Sequence, residues 1–236
     1  LNDCLGDITP EEKKLLYDAE VAEDIYSEYC NAQIDDESNY KKLAEALRDK
    51  EILIIGPGRN IQLQKDVVAK YINDKHPIVI SVNYIPGAYD VDMVFTTNRY
   101  RYQQMTDSLY EIKNKDVKII ATSNVECRNG SFEYILDRAP LLEKEERIMD
   151  NSFLMLLKAL VIAGVKHVSC AGMDGYSDKE DNYFNPRMEY AFIKNEARYL
   201  NRHIKNAISE FRESIDVNFI TYTHYEETED IQDAAI

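Results

Sequence analysis

No stretch of the chain approaches the ~18 consecutive apolar residues that a membrane-spanning helix requires. The opening segment LNDCLGDITPEEKK is acidic and polar where a secretory signal would be basic and then apolar. A membrane is therefore not an expected partner, and the expected location is cytoplasmic. Tryptophan is absent altogether. The 4 cysteines, Cys4, Cys30, Cys127 and Cys170, include no Cys-x-x-Cys pair and lie far apart, which argues against a zinc site and a disulfide framework and leaves free buried thiols as the expectation. The 4 histidines show neither His-x-x-x-His nor Glu-x-x-His spacing, so no metal site is expected. Basic side chains are the minority, 28 against 43 acidic ones, and the formal charge of −15 repels phosphate backbones at long range. Nucleic acid is not an expected partner either.

What is present suits one α/β domain and an extension: 236 residues, 44% of them hydrophobic. Thr9-Pro10-Glu11-Glu12 carries the signature of a helix start. Leu15, Leu16, Ala19, Ala22, Ile25, Tyr26 and Tyr29 then recur at helical spacing. A polar break, AQIDDESN, precedes a second helix with Leu43, Ala46 and Leu47. Residues 1–50 are read as a helical arm or connector. From Glu51 onward, β-branched runs alternate with amphipathic stretches: ILII (52–55), IVISV (78–82), DMVFT (92–96), VKIIAT (117–122), HVSCA (167–171) and VNFITY (217–222), with helices expected over 61–73, 100–114, 150–164 and 187–213. The alternation implies parallel strands with helical crossovers, hence a doubly wound, mostly parallel, Rossmann-like sheet over residues 51–236.

In such sheets ligands bind beyond the carboxyl ends of the strands. The residues there are polar: Gly56-Pro57-Gly58-Arg59-Asn60, Asn83-Tyr84, Thr97-Asn98-Arg99-Tyr100, Ser123-Asn124, Gly172-Met173-Asp174-Gly175-Tyr176 and Thr223-His224-Tyr225. Their side-chain amides donate and accept, as reading a base or ribose requires. The glycine pair leaves two readings open. A strand, glycines and a helix start can cradle a phosphate on backbone N–H groups, with Arg59 adding charge; a glycine pair also serves any tight turn. The Gly-Lys-Ser/Thr ending of a P-loop is absent, and Asn83 stands where a dinucleotide site would place an acid. Ser152 reads as a helix cap or a phosphate contact, and Asp174 as a turn residue or a ribose contact. The run SDKEDN (177–182) reads as a solvated lid, and His224 as the best-placed titratable group if chemistry occurs.

The order ILIIGPGRNI, VISVNY, VFTTNRY, DNSFLMLLKALVIAGVKHVSCAGMDGYS and NYF resembles the nucleotide-binding core of bacterial sialyltransferases and sialyltransferase-like domains, over residues 51–184. That resemblance implies nucleotide contacts by Gly56, Gly58, Asn83, Asn98, Ser152, Asp174, Tyr176 and Tyr183, and a cytidine-type ligand. Arg59 and Asn124 join these as candidates by position. The serine that normally follows the loop is missing, and the histidine base of those enzymes has no counterpart beyond His203, which falls in a helix. The whole chain, including LLYDAEVAEDIYSEY and NYIPGAYDVDMVFTTNRYRY, is similar to the C-terminal domain behind the barrel of bacterial aldolases related to hydroxymethylglutaryl-CoA lyase and hydroxy-oxovalerate aldolase. This implies an aldolase barrel as partner in a longer protein, which suits a chain starting at Leu1. The expected function is binding of a nucleotide or nucleotide-sugar. The alternatives are a non-catalytic interaction or oligomerisation domain, with a possible homo-oligomer suggested by the tyrosine-rich arm, and a glycosyltransferase of sialyltransferase type.

Overall fold

The computed structural model describes residues 34–111, 117–125, 132–179, 181–185, 188 and 193–226. The first arm helix, Cys4, Cys30, Cys127 and the acidic tail lie outside them. Seven strands form one all-parallel sheet: β1 (Ile52–Ile55), β2 (Ile78–Val82), β3 (Met93–Thr96), β4 (Lys118–Thr122), β5 (Tyr134–Leu136), β6 (His167–Ala171) and β7 (Asp216–Phe219), in the spatial order 5-4-3-2-1-6-7. Six helices flank it: α1 (Asp36–Leu47), α2 (Asn60–Leu63), α3 (Lys65–Lys75), α4 (Arg99–Glu111), α5 (Ser152–Ile162) and α6 (Ile193–Phe211). The doubly wound α/β fold expected from the alternation is the fold observed.

Alternation of side chains along each strand divides the core into two layers. Ile52 and Ile54 face one layer with Leu43 and Leu47 of α1, the apolar side chains of α5, and Leu200, Ile204 and Ile208 of α6. Leu53 and Ile55 face the other with Ile61, Val68 of α3, and Tyr102 and Met105 of α4. β1 is buried along its whole length, which explains why it reads as an unbroken apolar run rather than an alternating one. Helix α5 is apolar nearly all round and lies inside the molecule. Its one lysine, Lys158, escapes by bonding the Leu142 carbonyl at 2.7 Å and Glu143 at 2.9 Å. Helix α6 is the opposite case, with Ile193, Ala197, Leu200, Ile204 and Ile208 on one buried stripe. No helix among the described residues is long and apolar enough to cross a membrane.

Two features depart from the sequence patterning. Strand β5 is only three residues long, too short to show a period, and it was not foreseen. Helix α1 starts inside the stretch expected as a polar break, because Asp35 caps it by accepting from the Ser38 amide at 3.0 Å. Residues 36–47, assigned above to the arm, belong to the core. Asn39 and Asp36 accept from the backbone amides of Ile135 and Asp137 at 3.1 and 2.8 Å, and so dock α1 along β5. Leu43 is fully buried there. Leu43→Ala should cost about 2–5 kcal/mol in urea unfolding; an unchanged midpoint would detach α1 from the core.

Candidate functional site

Loops after β1 and β6 leave toward opposite layers, so the topological switch lies between these neighbours. The structure closes that point with backbone. Gly56 N–H donates to the Ala171 carbonyl at 2.8 Å and Gly58 N–H to the Gly172 carbonyl at 2.9 Å. Pro57 has no N–H to offer. The next amide engaged, Asn60 N–H, donates at 2.8 Å to the Asp174 carboxylate. Three of the amides that a phosphate cradle would present, those of Gly56, Gly58 and Asn60, are thus occupied, and a carboxylate of the protein itself sits at the head of α2. The glycines are there for close approach. A Cβ on Gly56 would stand 2.5 Å from the Gly172 carbonyl oxygen, and one on Gly58 2.5 Å from Asp174 Cγ. Gly172, at φ +65°, has its own Cβ position 2.4 Å from the Gly56 oxygen. Of the two readings the sequence left open, this geometry accounts for the glycines as a turn.

Beside this closed point, a crevice of about 760 Å³ opens over the ends of β2, β3 and β4, bounded by the head of α5 and by α6. Its floor is a knot of hydrogen bonds. Asn83 Nδ2 donates to Ser152 Oγ at 2.7 Å, Asn83 Oδ1 accepts from the Thr97 amide at 3.1 Å, and the Thr97 and Ser152 hydroxyls lie 2.6 Å apart. Asn124 extends the knot, donating to the Thr97 carbonyl at 2.9 Å and accepting from Thr122 Oγ1 at 2.6 Å. Asn83 holds the left-handed φ of +57°, a conformation that asparagine adopts more readily than most residues. Asn151, not Ser152, caps α5, accepting from the amides of Phe153 and Leu154 at 3.1 and 3.2 Å. Asn98 similarly caps α4 by accepting from the Arg101 amide at 3.0 Å.

The far side is a strap. Tyr183 bridges to Gly58, Phe184 N–H donates to the Pro57 carbonyl at 3.1 Å, and the Phe184 ring lies 5.5 Å from that of Tyr84, whose hydroxyl donates to the Gly56 carbonyl. Tyr176 is bracketed by Asn201 of α6, which accepts from its amide at 2.8 Å and donates to its carbonyl at 2.7 Å. Of the run expected as a solvated lid, Asp178, Lys179 and Asp181 are exposed, whereas Asn182 is buried and its side chain bonds the Ser177 amide and carbonyl. The opposite wall, residues 143–151, hangs on α6 through Tyr199 to Glu145 at 2.8 Å and an ion pair between Arg147 and Glu196.

Gly58, Asn83, Asn98, Asn124, Ser152, Asp174, Tyr176 and Tyr183 all line this crevice. Gly56 lies beneath it, and Arg59 opens onto a second hollow of about 540 Å³ with Gln62, Lys179 and Asp181. His224 is not on the crevice wall: its amide donates to the Asp174 carbonyl at 2.7 Å and its ring meets the Tyr222 hydroxyl. His203 packs on Tyr199 along α6. Thr97 stands among the strand-end residues of the sequence but was not singled out as a contact, and Arg138, which follows the unforeseen β5, carries no strand-end signal. Arg138 lines the crevice together with Arg99, Arg101 and Arg147. Arg101 is committed elsewhere, donating to the Met188 carbonyl at 2.6 Å.

Burial pushes the Asp174 carboxyl up to about 6, against smaller lowering effects of Asn60, His224 and Arg59. Its Oδ1 is buried with no hydrogen-bond partner. The phenols of Tyr84, Tyr183 and Tyr225 are likewise pushed up by burial. Among the described residues no group of three or more His, Cys, Asp or Glu side chains could hold a metal ion. No protein-family model matches the chain, and no curated protein or solved structure matches it.

Two outcomes test this geometry. Gly58→Ala should destabilise the protein by about 1–3 kcal/mol, since the new methyl meets backbone and the Asp174 carboxyl together. The folded Asp174 carboxyl holds its proton more tightly than the unfolded one, so its contribution to stability is present at low pH and is lost as pH rises through about 6. Asp174→Asn should therefore gain on the parent by up to about 3 kcal/mol between pH 4 and 7 in paired urea titrations. A difference that does not vary with pH would rule out the shifted carboxyl.

Proposed function

We propose that the chain binds a nucleotide or nucleotide-linked sugar acid, of cytidine type, in the crevice over β2, β3 and β4. The observation that carries this reading is the knot of Asn83, Thr97, Ser152 and Asn124, four side chains from four separate segments that converge on one polar floor. Its fixed donors and acceptors suit the edge of a base or a ribose better than proton transfer, because none of the four titrates near neutrality. Size agrees as well: about 760 Å³ falls within the ~300–1,000 Å³ of small-molecule sites. Tyr176 and Tyr183 supply aromatic surface on the strap side, a match for a base or sugar face. The preference for cytidine rests on the resemblance of these residues to the sialyltransferase-like core. In a longer protein the domain would follow an aldolase barrel, and the metal and base of carbon–carbon cleavage would belong to that barrel. Sugar transfer is the less favoured extension. It needs a proton acceptor facing the substrate, whereas the Asp174 oxygens are turned to the Asn60 amide and to Gly58.

A second reading, a non-catalytic interaction domain, is favoured by Leu63 and Val67. They stand 69% and 46% exposed one helical turn apart, with Tyr222 close by through its amide contact to Gln64. Light scattering on the parent and on Leu63→Ser/Val67→Ser separates the readings: loss of an oligomer in the variant supports assembly, and an identical monomer in both counts against it.

A thermal-shift panel of cytidine, uridine, adenosine and guanosine phosphates tests the binding reading. A ligand at ~100 times its dissociation constant adds about 2.7 kcal/mol to stability. Asn83→Gly removes the side chain while keeping the left-handed backbone at ease. It should abolish the shift given by cytidine nucleotides; a variant that binds as the parent does places the ligand elsewhere.

A further inference from the structure

An acidic chain, −15 in all, gathers four arginines on the wall of one crevice. Two of them have firm duties. Arg101 is 6% exposed and holds the Met188 carbonyl, and Arg147 pairs with Glu196 of α6. Arg138 is differently placed. Its backbone amide donates to Ser123 Oγ at 3.0 Å, which fixes its stem at the end of β5. Among the described residues its buried Nε has no hydrogen-bond partner, and its one carboxylate neighbour, Asp150, stands 3.8 Å from Nη2, beyond hydrogen-bonding range. Asp150 is itself half exposed, so it is a weak and displaceable counter-ion. A guanidinium offers five donors in a planar fork, and a buried donor without a partner is costly. The quarter of the Arg138 side chain that stays exposed lines the crevice, where its fork would meet an oxyanion.

The glycine loop cannot serve the same ligand. Its Gly56 and Gly58 amides are bonded to the Ala171 and Gly172 carbonyls, and Asp174 takes the Asn60 amide at its head. A ligand lying on the Asn83–Thr97–Ser152 floor therefore finds a carboxyl at the β6 side and arginine at the β5 side. Asp150, Asn151 and Ser152 are consecutive, so the arginine wall adjoins the floor directly.

We infer that Arg138 anchors the anionic group of the crevice's ligand, a phosphate or carboxylate, and that this anion lies at the β5 end of the crevice rather than on the glycine loop. The inference deepens the nucleotide reading and rests on it for the rest of the ligand, but its own test does not. Cytidine 5′-monophosphate, cytidine and inorganic pyrophosphate are titrated calorimetrically into the parent, Arg138→Gln and Arg138→Lys, with unfolding midpoints recorded to establish that the variants fold. The monophosphate and pyrophosphate should each bind the parent. Arg138→Gln should weaken both by roughly 10- to 100-fold, the range for a charge-assisted contact. Arg138→Lys should recover part of the loss, since lysine keeps the charge without the fork. Cytidine should be indifferent to both changes. Monophosphate binding unaffected by Arg138→Gln overturns the anchor and leaves the nucleotide reading standing. Pyrophosphate binding that depends on Arg138, with no affinity for any nucleotide, keeps the anchor and removes that reading. No anion binding to the folded parent overturns the anchor outright. Should Arg138→Gln fail to fold, an unchanged affinity in folded Arg138→Lys, whose donor geometry differs, overturns it as well.

Discussion

Everything at the carboxyl edge of this sheet depends on the approach of two backbones. The β1 loop and the β6 loop come together closely enough for Gly56 and Gly58 to donate to successive carbonyls of the neighbouring chain segment, and this is possible only because neither glycine, nor Gly172 opposite, carries a Cβ. The contact extends the parallel pairing of β1 with β6 past the last strand residue. It sets the direction in which α2 departs and places Asp174 at the α2 amide. It also gives the strap at Tyr183 and Phe184 a backbone edge to bridge to. The open space that remains is displaced toward β2, β3 and β4, and the polar floor is found there.

Burial energetics explain why so much of the fold was legible. ILII is a continuous apolar run, and IVISV and HVSCA are interrupted only by the buried Ser81 and Ser169 and by His167 at the exposed start of β6, because parallel strands covered on both faces have little solvent side to encode. The single buried stripe of α6 is as readable as a helix can be. The strand-end rule then collected most of the crevice, since Asn83, Asn98, Asn124 and Asp174 follow strands that were recognised. It failed where its input failed. Strand β5 has three residues, of which Tyr134 and Leu136 are buried, and three residues carry no measurable period. Asp137 and Arg138, the residues after that strand, were therefore never interrogated. The role of α1 was hidden for a different reason: its docking depends on Asp36 and Asn39 accepting from β5 amides, and long-range polar contacts of that kind leave no periodic trace.

Charge is distributed with a similar economy. In a chain of net charge −15, the crevice wall concentrates four arginines in surroundings where solvent screening is reduced and each charge acts more strongly. The one acidic group of the crevice that burial shifts, Asp174, is held near the point where it loses its charge. Below that point the whole crevice becomes more positive without any rearrangement of its floor.

The knitting of the β1 and β6 loops bears on how such a protein can diversify. Loops that recognise ligands are ordinarily drawn from the least stable parts of a structure, which is what lets them be remodelled. Here the glycine loop is instead bonded to the carbonyls of Ala171 and Gly172 at the end of the buried β6, so a substitution there is paid in folding before it can alter recognition. The segment running from Arg138 to Asn151 stands apart from this constraint. It is fastened to α6 by exposed polar contacts, is anchored by the buried Leu141 and Ile148, and contributes Arg138 and Arg147 to the arginine wall. Drift in specificity within any lineage of this fold would accordingly be written in that segment, while the glycines stay fixed as a record of the architecture rather than of the ligand.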